Sequence, residues 1–298
     1  MSALSQKGPF NPLPSTVITS TLPPAPASPV TDAYRQAVLR RNNVHVVGAG
    51  QSTLLLCNGF GCSQHIWHYL LPALMTSHRV VLFDQVGTGE SDLTAYDPVR
   101  YATMAGYVED VVEICQVLDL REVVVIGHSA GAMVALLAAS QAPQYFAKVI
   151  LLAGSPCYVN EPGYYGGFER ADVLEVLAGM DTDFGQWADM FARLLLGSDH
   201  ANSLGEELTA SFCQAEPVIA RQFARLAFLG DSRAELPRLR LPTLLLQCSE
   251  DIAVPAEVGD YLLTHLPDAQ LIILKATGHC PHLSAPLETL AAMQAFLA

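Results

Sequence analysis

Short apolar runs recur along most of the chain, and most of them are continuous rather than alternating with polar residues. Continuous runs of this length are typical of central strands covered on both faces, as in a mostly parallel sheet. The pattern predicts strands at residues 44–47, 53–57, 79–84, 123–126, 148–153, 243–248 and 270–274.

Segments with helical spacing lie between these runs. In residues 101–119, a set of apolar residues falls on one face of a helix; the set is Val108, Val111, Val112, Cys115 and Leu118. Residues 33–41, 131–141 and 285–297 have similar patterns. The alternation of strands and helices predicts an α/β domain with a doubly wound, mostly parallel sheet.

The alternation stops between residues 156 and 237. Apolar residues there recur at helical spacing in four segments, at 168–180, 184–196, 204–214 and 217–229. Such an insertion predicts a helical cap over the carboxyl edge of the sheet, where open α/β sheets bind ligands. We therefore expect an α/β core in residues 31–155 and 238–298 and a four-helix cap in residues 156–237.

The first 30 residues differ from the rest of the chain. They contain seven prolines among serines and threonines and show no hydrophobic period. Such a composition is typical of an extended arm or linker. They also lack the basic region and apolar run of a secretory signal.

The net charge and the cysteine content limit which binding partners and which cellular compartment we expect for the protein. The net charge of −13 disfavours binding to nucleic acid or to an anionic membrane surface. Seven cysteines, an odd number without a C-x-x-C pair, disfavour a disulfide framework or a zinc framework. His65, His68 and His78 show no metal-ligand spacing, so no metal is expected. These features favour a cytoplasmic protein.

The stretch "VVVIGHSAGAMVALLAA" at residues 123–139 contains the first candidate for chemistry. His128, Ser129 and two glycines interrupt it, so it is a strand followed by a helix rather than a membrane span. A serine in G-x-S-x-G between a strand and a helix is typical of a nucleophile elbow. The alternative is an ordinary buried turn.

A serine needs a positioned base, and in this fold order an acid and a histidine follow later strands. Asp251 follows the run at 243–248, with Glu250 as its rival. His279 follows the final run, with His282 as its rival. Because His282 lies beyond Pro281, we expect it to have a local structural or surface role.

The glycine-rich loop "NGFG" after the second run is a candidate oxyanion hole. Its proposed donors are the backbone N–H groups of Phe60 and Ala130, because both can face the Ser129 hydroxyl. A set of aromatic residues is expected to line a pocket, although an apolar core is an equal alternative. The candidate lining residues are Phe60, His128, Phe184, Trp187 and Phe191.

Five motifs together resemble the RsbQ-like branch of the α/β-hydrolases, which is similar to the plant strigolactone and karrikin receptors. The motifs are "NGFGCSQHIW", "VVLFDQVGTGESD", "VVVIGHSAGAMVA", "CSEDIAVP" and "ATGHCPHLSAP". The resemblance implies the α/β-hydrolase fold, with a V-shaped four-helix cap over a small apolar pocket. It also implies a triad of Ser129, Asp251 and His279, with Phe60 and Ala130 as oxyanion donors. Asn58 and Ser63 depart from the common pattern of the branch, beside the oxyanion loop.

Two functions from different classes follow. The first is a serine hydrolase that acts on a small apolar ester or lactone through an acyl-enzyme, without a cofactor. The alternative is a ligand-sensing signalling protein that slowly hydrolyses its ligand and then engages a protein partner. Both use the same residues, so the sequence does not separate them.

Overall fold

The computed structural model of the chain describes residues 30–197 and 203–298. All of the predicted proline-rich arm except Val30 lies outside the described residues. The predicted α/β core and the predicted helical insertion lie almost entirely within them.

Seven strands form one sheet, in the order β1-β3-β2-β4-β5-β6-β7. Only the first pairing, between β1 and β3, is antiparallel, and the other neighbours are parallel. All six residues of β4 are buried, as expected for a strand covered on both faces. The mostly parallel sheet predicted from the apolar runs is therefore present. The strands are β1 His45–Val47, β2 Ser52–Cys57, β3 His78–Leu82, β4 Val123–His128, β5 Phe146–Leu152, β6 Thr243–Glu250 and β7 Ala269–Thr277.

Helices alternate with the strands in the α/β part of the chain. Helix α4 packs on β4 and β5, whereas α9 and α11 pack on β6 and β7. These helices are α1 Asp32–Arg41, α2 Leu71–Leu74, α3 Met104–Val117, α4 Ala130–Gln141, α9 Ala256–His265, α10 Pro281–Ser284 and α11 Pro286–Leu297. The short helix α2 and a 3₁₀ turn at Gln64–Trp67 fall in a stretch where no element was predicted.

Four further helices lie between β5 and β6, and we call this segment the cap. They are α5 Arg170–Thr182, α6 Phe184–Leu196, α7 Ser203–Cys213 and α8 Pro217–Phe228. Each begins within two residues of a segment predicted from helical spacing. Helix α6 packs against α5 and α7, and α8 packs against α5 and against α3 of the core.

Strand register brings the chemistry-bearing loops to one edge of the sheet. His128 at the end of β4 pairs with Leu152 at the end of β5, and Glu250 of β6 pairs with Thr277 of β7. Because these strands are parallel, the residues that follow them emerge side by side. Ser129, Asp251 and His279 lie just after the carboxyl ends of β4, β6 and β7, which is where open α/β sheets bind ligands.

None of the helices in the described residues combines the length and the apolar character needed to cross a lipid bilayer.

Candidate active site

Ser129 lies on the sharp turn between β4 and α4. Its backbone has φ 53° and ψ −122°, a region that non-glycine residues rarely adopt and that costs about 1–3 kcal/mol. A Cβ added at Gly127 would lie 2.4 Å from the Gly131 carbonyl oxygen, and one added at Gly131 would lie 2.2 Å from the Asn58 carbonyl oxygen. The turn therefore depends on two glycines that let strand, helix and loop approach closely.

We expect Gly131→Ala to destabilise the protein, because the new methyl group would press on the Asn58 and Cys57 carbonyl oxygens. Overpacking of this kind costs about 1–3 kcal/mol. The matched control is Gly185→Ala, at an exposed position of helix α6, where the nearest atom to the new methyl group is an Asp183 carboxylate oxygen at 3.6 Å. Urea unfolding should show a loss for Gly131→Ala and a neutral or stabilising effect for Gly185→Ala. Equal effects would contradict this account of the turn.

The structure brings Ser129, His279 and Asp251 into one hydrogen-bonded chain. His279 Nε2 lies 2.7 Å from Ser129 Oγ, and His279 Nδ1 lies 2.8 Å from Asp251 Oδ2. The second carboxylate oxygen of Asp251 accepts the backbone N–H groups of Ala253 at 2.8 Å and Val254 at 3.2 Å. The His279 and Asp251 side chains are 2% and 1% exposed, so bulk water hardly competes for these bonds.

The two rival residues lie elsewhere. Glu250 is exposed, and its backbone carbonyl accepts a hydrogen bond from Gly278. His282 is completely buried, so a surface position for it is wrong, whereas a local structural position agrees with its packing. Its ring lies against Trp67 at 4.9 Å and against His128 at 4.3 Å between centroids.

The loop after β2 packs directly against the serine turn. A Cβ at Gly59 would meet His128 Nδ1 at 2.6 Å and Ser129 Cβ at 3.4 Å. Phe60 and Ala130 are both buried. Within residues 30–197 and 203–298, neither of their backbone N–H groups has a hydrogen-bond acceptor. Buried N–H groups without a partner are rare, and here they occur at the two positions predicted for an oxyanion hole.

The two departures from the pattern of the branch, Asn58 and Ser63, form hydrogen bonds to groups other than Ser129. The Asn58 side chain donates to the Phe83 carbonyl and accepts from Trp67 Nε1, both at 2.8 Å, and thus holds the loop to β3 and to the 3₁₀ turn. The backbone N–H of Ser63 donates to Ser211 Oγ of α7 at 3.2 Å. Both residues therefore affect the position of the loop rather than contact the serine hydroxyl.

A small cavity of about 30 Å³ lies over Ser129, between the sheet edge and the cap. Of the predicted lining residues, Phe60, His128 and Phe191 line it, whereas Phe184 and Trp187 do not. Trp187 instead meets Phe60 edge to face at 6.0 Å and stacks on Phe184 at 5.8 Å. The full lining is Phe60, Cys62, His128, Ser129, Tyr158, Phe191, Leu195, Leu208, Phe212, Phe228, Ala253, His279 and Cys280.

Tyr158, whose hydroxyl lies 3.4 Å from Ser129 Oγ, is not among the residues predicted from the sequence. Burial raises the pKa of Tyr158 to about 12, so this hydroxyl stays protonated at neutral pH. Phe212 and Phe228, whose rings lie 5.9 and 5.2 Å from that of Phe60, are not among them either. The helical spacing of apolar residues in α7 and α8 indicates these two, whereas Tyr158 lies in an irregular loop without a sequence signal.

Two further buried histidines, His128 and His282, adjoin the candidate site. Burial lowers the pKa of His128 to about 3, with a further lowering from His279. Burial also holds the pKa of His282 well below its ordinary value. His128 Nε2 lies 2.9 Å from the His279 carbonyl oxygen. Neither ring nitrogen of His282 has a hydrogen-bond partner in the described part of the chain. Both rings are therefore neutral in the folded protein at neutral pH.

The buried, neutral pair His128 and His282 predicts that the protein loses stability in acid. Below pH 6.5 the unfolded chain protonates both histidines, while the folded protein keeps His128 neutral down to about pH 3. The unfolded state then binds more protons, so the free energy of unfolding falls as pH falls, by on the order of 1 kcal/mol per pH unit for each histidine. We expect His282→Leu to flatten the slope between pH 6.5 and 5.5 by about half. The exposed control His265→Leu should leave the slope unchanged, and an unchanged slope in both would contradict this assignment.

Comparisons with known proteins agree with the fold. The model of the alpha/beta hydrolase family matches residues 54–293. The chain is 36% identical over 252 residues to a strigolactone esterase of Arabidopsis thaliana, covering 84% of this chain and 94% of that protein. It is 35% identical over 248 residues to a karrikin insensitive 2 receptor of Petunia hybrida, covering 83% and 90%. The structure of a hydrolase from Oleispira antarctica superposes with a TM-score of 0.86 at 37% identity, over 88% of this chain and 97% of that one. The chain therefore belongs to the alpha/beta hydrolase family and, as its motifs indicated, is similar to the strigolactone and karrikin receptor esterases.

Proposed function

We propose that the protein is a serine hydrolase for a small, mostly apolar ester or lactone. One observation carries the proposal: the unbroken hydrogen-bonded chain from Ser129 Oγ through His279 to Asp251, with distances of 2.7 and 2.8 Å. A nucleophile, a base and a group that orients the base are the parts that acyl transfer by serine requires. The esterases among the relatives support the same reaction class.

In the proposed reaction, His279 Nε2 takes the proton of Ser129 as Oγ attacks the ester carbonyl carbon. The N–H groups of Phe60 and Ala130 stabilise the oxyanion, and the loss of one such donor typically costs about 10²–10³ in rate. Protonated His279 then gives its proton to the leaving alkoxide as the C–O bond breaks. Water, deprotonated by His279, then attacks the acyl carbon. The bond from that carbon to Ser129 Oγ breaks, the acid leaves, and Oγ takes its proton back from His279.

Burial of the site favours this chemistry. Asp251 stabilises the imidazolium form of His279, and its own charge is held by the N–H groups of Ala253 and Val254. The Tyr158 hydroxyl, 3.4 Å from Ser129 Oγ, is placed to donate to a ligand oxygen bound beside the serine. The rest of the lining is largely apolar, which favours substrates without charge.

The size of the cavity predicts a preference for short acyl groups. A space of about 30 Å³ holds only a few atoms before the aromatic side chains of the cap must move, and forced overpacking costs about 1–3 kcal/mol. We expect kcat/KM for p-nitrophenyl esters to fall by about tenfold or more from acetate to octanoate. A rate that rises steadily with chain length would contradict the preference for small substrates.

A second candidate is a ligand-sensing signalling protein that slowly hydrolyses its ligand. The observation that favours it is the similarity to karrikin insensitive 2 receptors at 33–35% identity. Counting turnovers separates the two functions. Fast multiple turnover of small esters favours a metabolic hydrolase, whereas one slow turnover with ligand-dependent binding of a protein partner favours the receptor.

The seven free cysteines suit the reducing, cytoplasmic setting expected for either function.

A further inference from the structure

A second cavity, of about 260 Å³, lies between the loop after β2 and cap helix α7. It is separate from the cavity over Ser129, although Leu208 lines both. Polar side chains occupy much of its wall, in contrast to the first cavity. The polar lining residues are Ser63, His65, Glu207, Ser211 and Gln214.

Two histidines and one glutamate come together beside this cavity, and two of them, His65 and Glu207, also line it. One potential ligand atom from each of His65, His68 and Glu207 lies within 4.8 Å of the others. His68 Nδ1 lies 3.3 Å from Glu207 Oε1 and 3.0 Å from the His65 carbonyl oxygen. His65 is exposed and the other two residues are partly buried, so an ion could reach the cluster from solvent.

Local structure explains why the histidines lie together. The 3₁₀ turn Gln64–Trp67 contains His65, and His68 caps its end. With three residues per turn, side chains three positions apart in such a helix eclipse each other. Accordingly, the two imidazole rings are stacked, with centroids 4.6 Å apart and planes 1° apart. Spacing in the sequence alone does not reveal this arrangement, because the turn was not predicted and Glu207 comes from the cap.

We propose that His65, His68 and Glu207 bind one divalent transition-metal ion, with Zn²⁺ as the representative, and that this ion joins the core to the cap. Two imidazoles and one carboxylate are a ligand set that suits zinc, copper or nickel rather than magnesium or calcium. The ion takes the place of the Nδ1 proton of His68, which bonds to the His65 carbonyl oxygen, and that proton moves to Nε2 of the same ring. Because the two imidazole planes are parallel, the exposed His65 ring turns out of the stack so that one nitrogen of each ring points at the ion. Water fills the remaining coordination positions from the adjoining cavity.

The candidate metal site lies where a bound ion would affect the packing of α7 on the loop after β2. His65 and His68 follow the loop that carries Phe60, and Glu207 lies on the same helix as Phe212, which packs on Phe60 at 5.9 Å. Metal binding would therefore hold α7 against the loop that contains one proposed oxyanion donor. The proposed hydrolysis requires no metal, so this inference stands independently of the function proposed for Ser129.

The test is titration of the metal-free full-length protein with ZnCl₂ in a calorimeter, with MgCl₂ as the control ion. We expect one Zn²⁺ site, a thermal midpoint that rises with Zn²⁺ concentration, and slower hydrogen exchange in α7. Because loss of even an outer-shell partner typically costs about 10–100-fold in metal affinity, His68→Gln and Glu207→Gln should each weaken binding at least that much.

Two control variants change the same side-chain types nearby or elsewhere on the surface. Glu206→Gln alters the exposed neighbour of Glu207 on α7, and His265→Gln alters an exposed histidine on α9. Both should keep wild-type Zn²⁺ affinity. The proposal is overturned if Zn²⁺ does not bind, or if His68→Gln and Glu207→Gln bind it as tightly as the two controls. All these readouts are independent of ester hydrolysis, so a failure here is distinguishable from a failure of the proposed enzyme.

Discussion

Ser129→Ala is expected to reduce kcat for p-nitrophenyl acetate by roughly 10⁶-fold, the scale seen when a serine protease loses its nucleophile. The hydroxyl removed is the one 2.7 Å from His279 Nε2, the hydrogen bond through which the base activates Oγ. The hydroxyl of Tyr158 lies nearby, but its pKa is raised to about 12, so it is a poor nucleophile at neutral pH.

The control for this prediction is Ser140→Ala, which removes a hydroxyl from α4, the helix that follows Ser129. We expect wild-type activity for Ser140→Ala and a thermal midpoint close to wild type for both variants. The φ of 53° at position 129 is no more strained for alanine than for serine, because both carry a Cβ, so the turn itself should persist. Activity of Ser129→Ala within tenfold of wild type would show that another residue performs the attack.

Asp251→Asn is expected to have the second large effect, a decrease in kcat of about 10⁴-fold. The N–H groups of Ala253 and Val254 donate to Oδ1, so the asparagine carbonyl oxygen must occupy that position. The amide NH₂ then faces His279 Nδ1, which has to accept rather than donate. That tautomer carries its proton on Nε2, where it can no longer take the proton of Ser129.

Glu250→Gln is the matched control, because it makes the same chemical change at the adjacent, exposed acid. Steady-state kinetics should show wild-type kcat for this variant. If Glu250→Gln lost activity and Asp251→Asn kept it, the assignment of the acid would be reversed. Equal and small losses in both would mean that His279 does not depend on a carboxylate.

The sequence predicted the parts of the site that follow directly from strand order. Ser129, Asp251 and His279 each come after a continuous apolar run, and parallel strands bring their carboxyl ends to one edge. The glycines around Ser129 were also predictable, because only small residues allow the close approach of strand and helix. These inferences need local patterns and one topological rule, with no knowledge of side-chain packing.

The parts that depend on packing between distant segments were not predictable. Helical spacing located α6, but it could not tell that Phe191 would face the cavity while Trp187 packs on Phe60 and Phe184. Tyr158 reaches Ser129 from an irregular loop. His282 was expected in a local or surface role, and its complete burial depends on packing against Trp67 and His128.

The central claim is that Ser129 is the nucleophile of a hydrolase, and covalent labelling tests it most directly. The full-length protein is treated with a small fluorophosphonate, which reacts with activated serines, and the site is located by intact-mass analysis and peptide mapping. The account predicts one phosphonyl group per chain, on Ser129, with parallel loss of ester hydrolysis and no label on Ser129→Ala. Label on another residue, or loss of activity without label on Ser129, would contradict it.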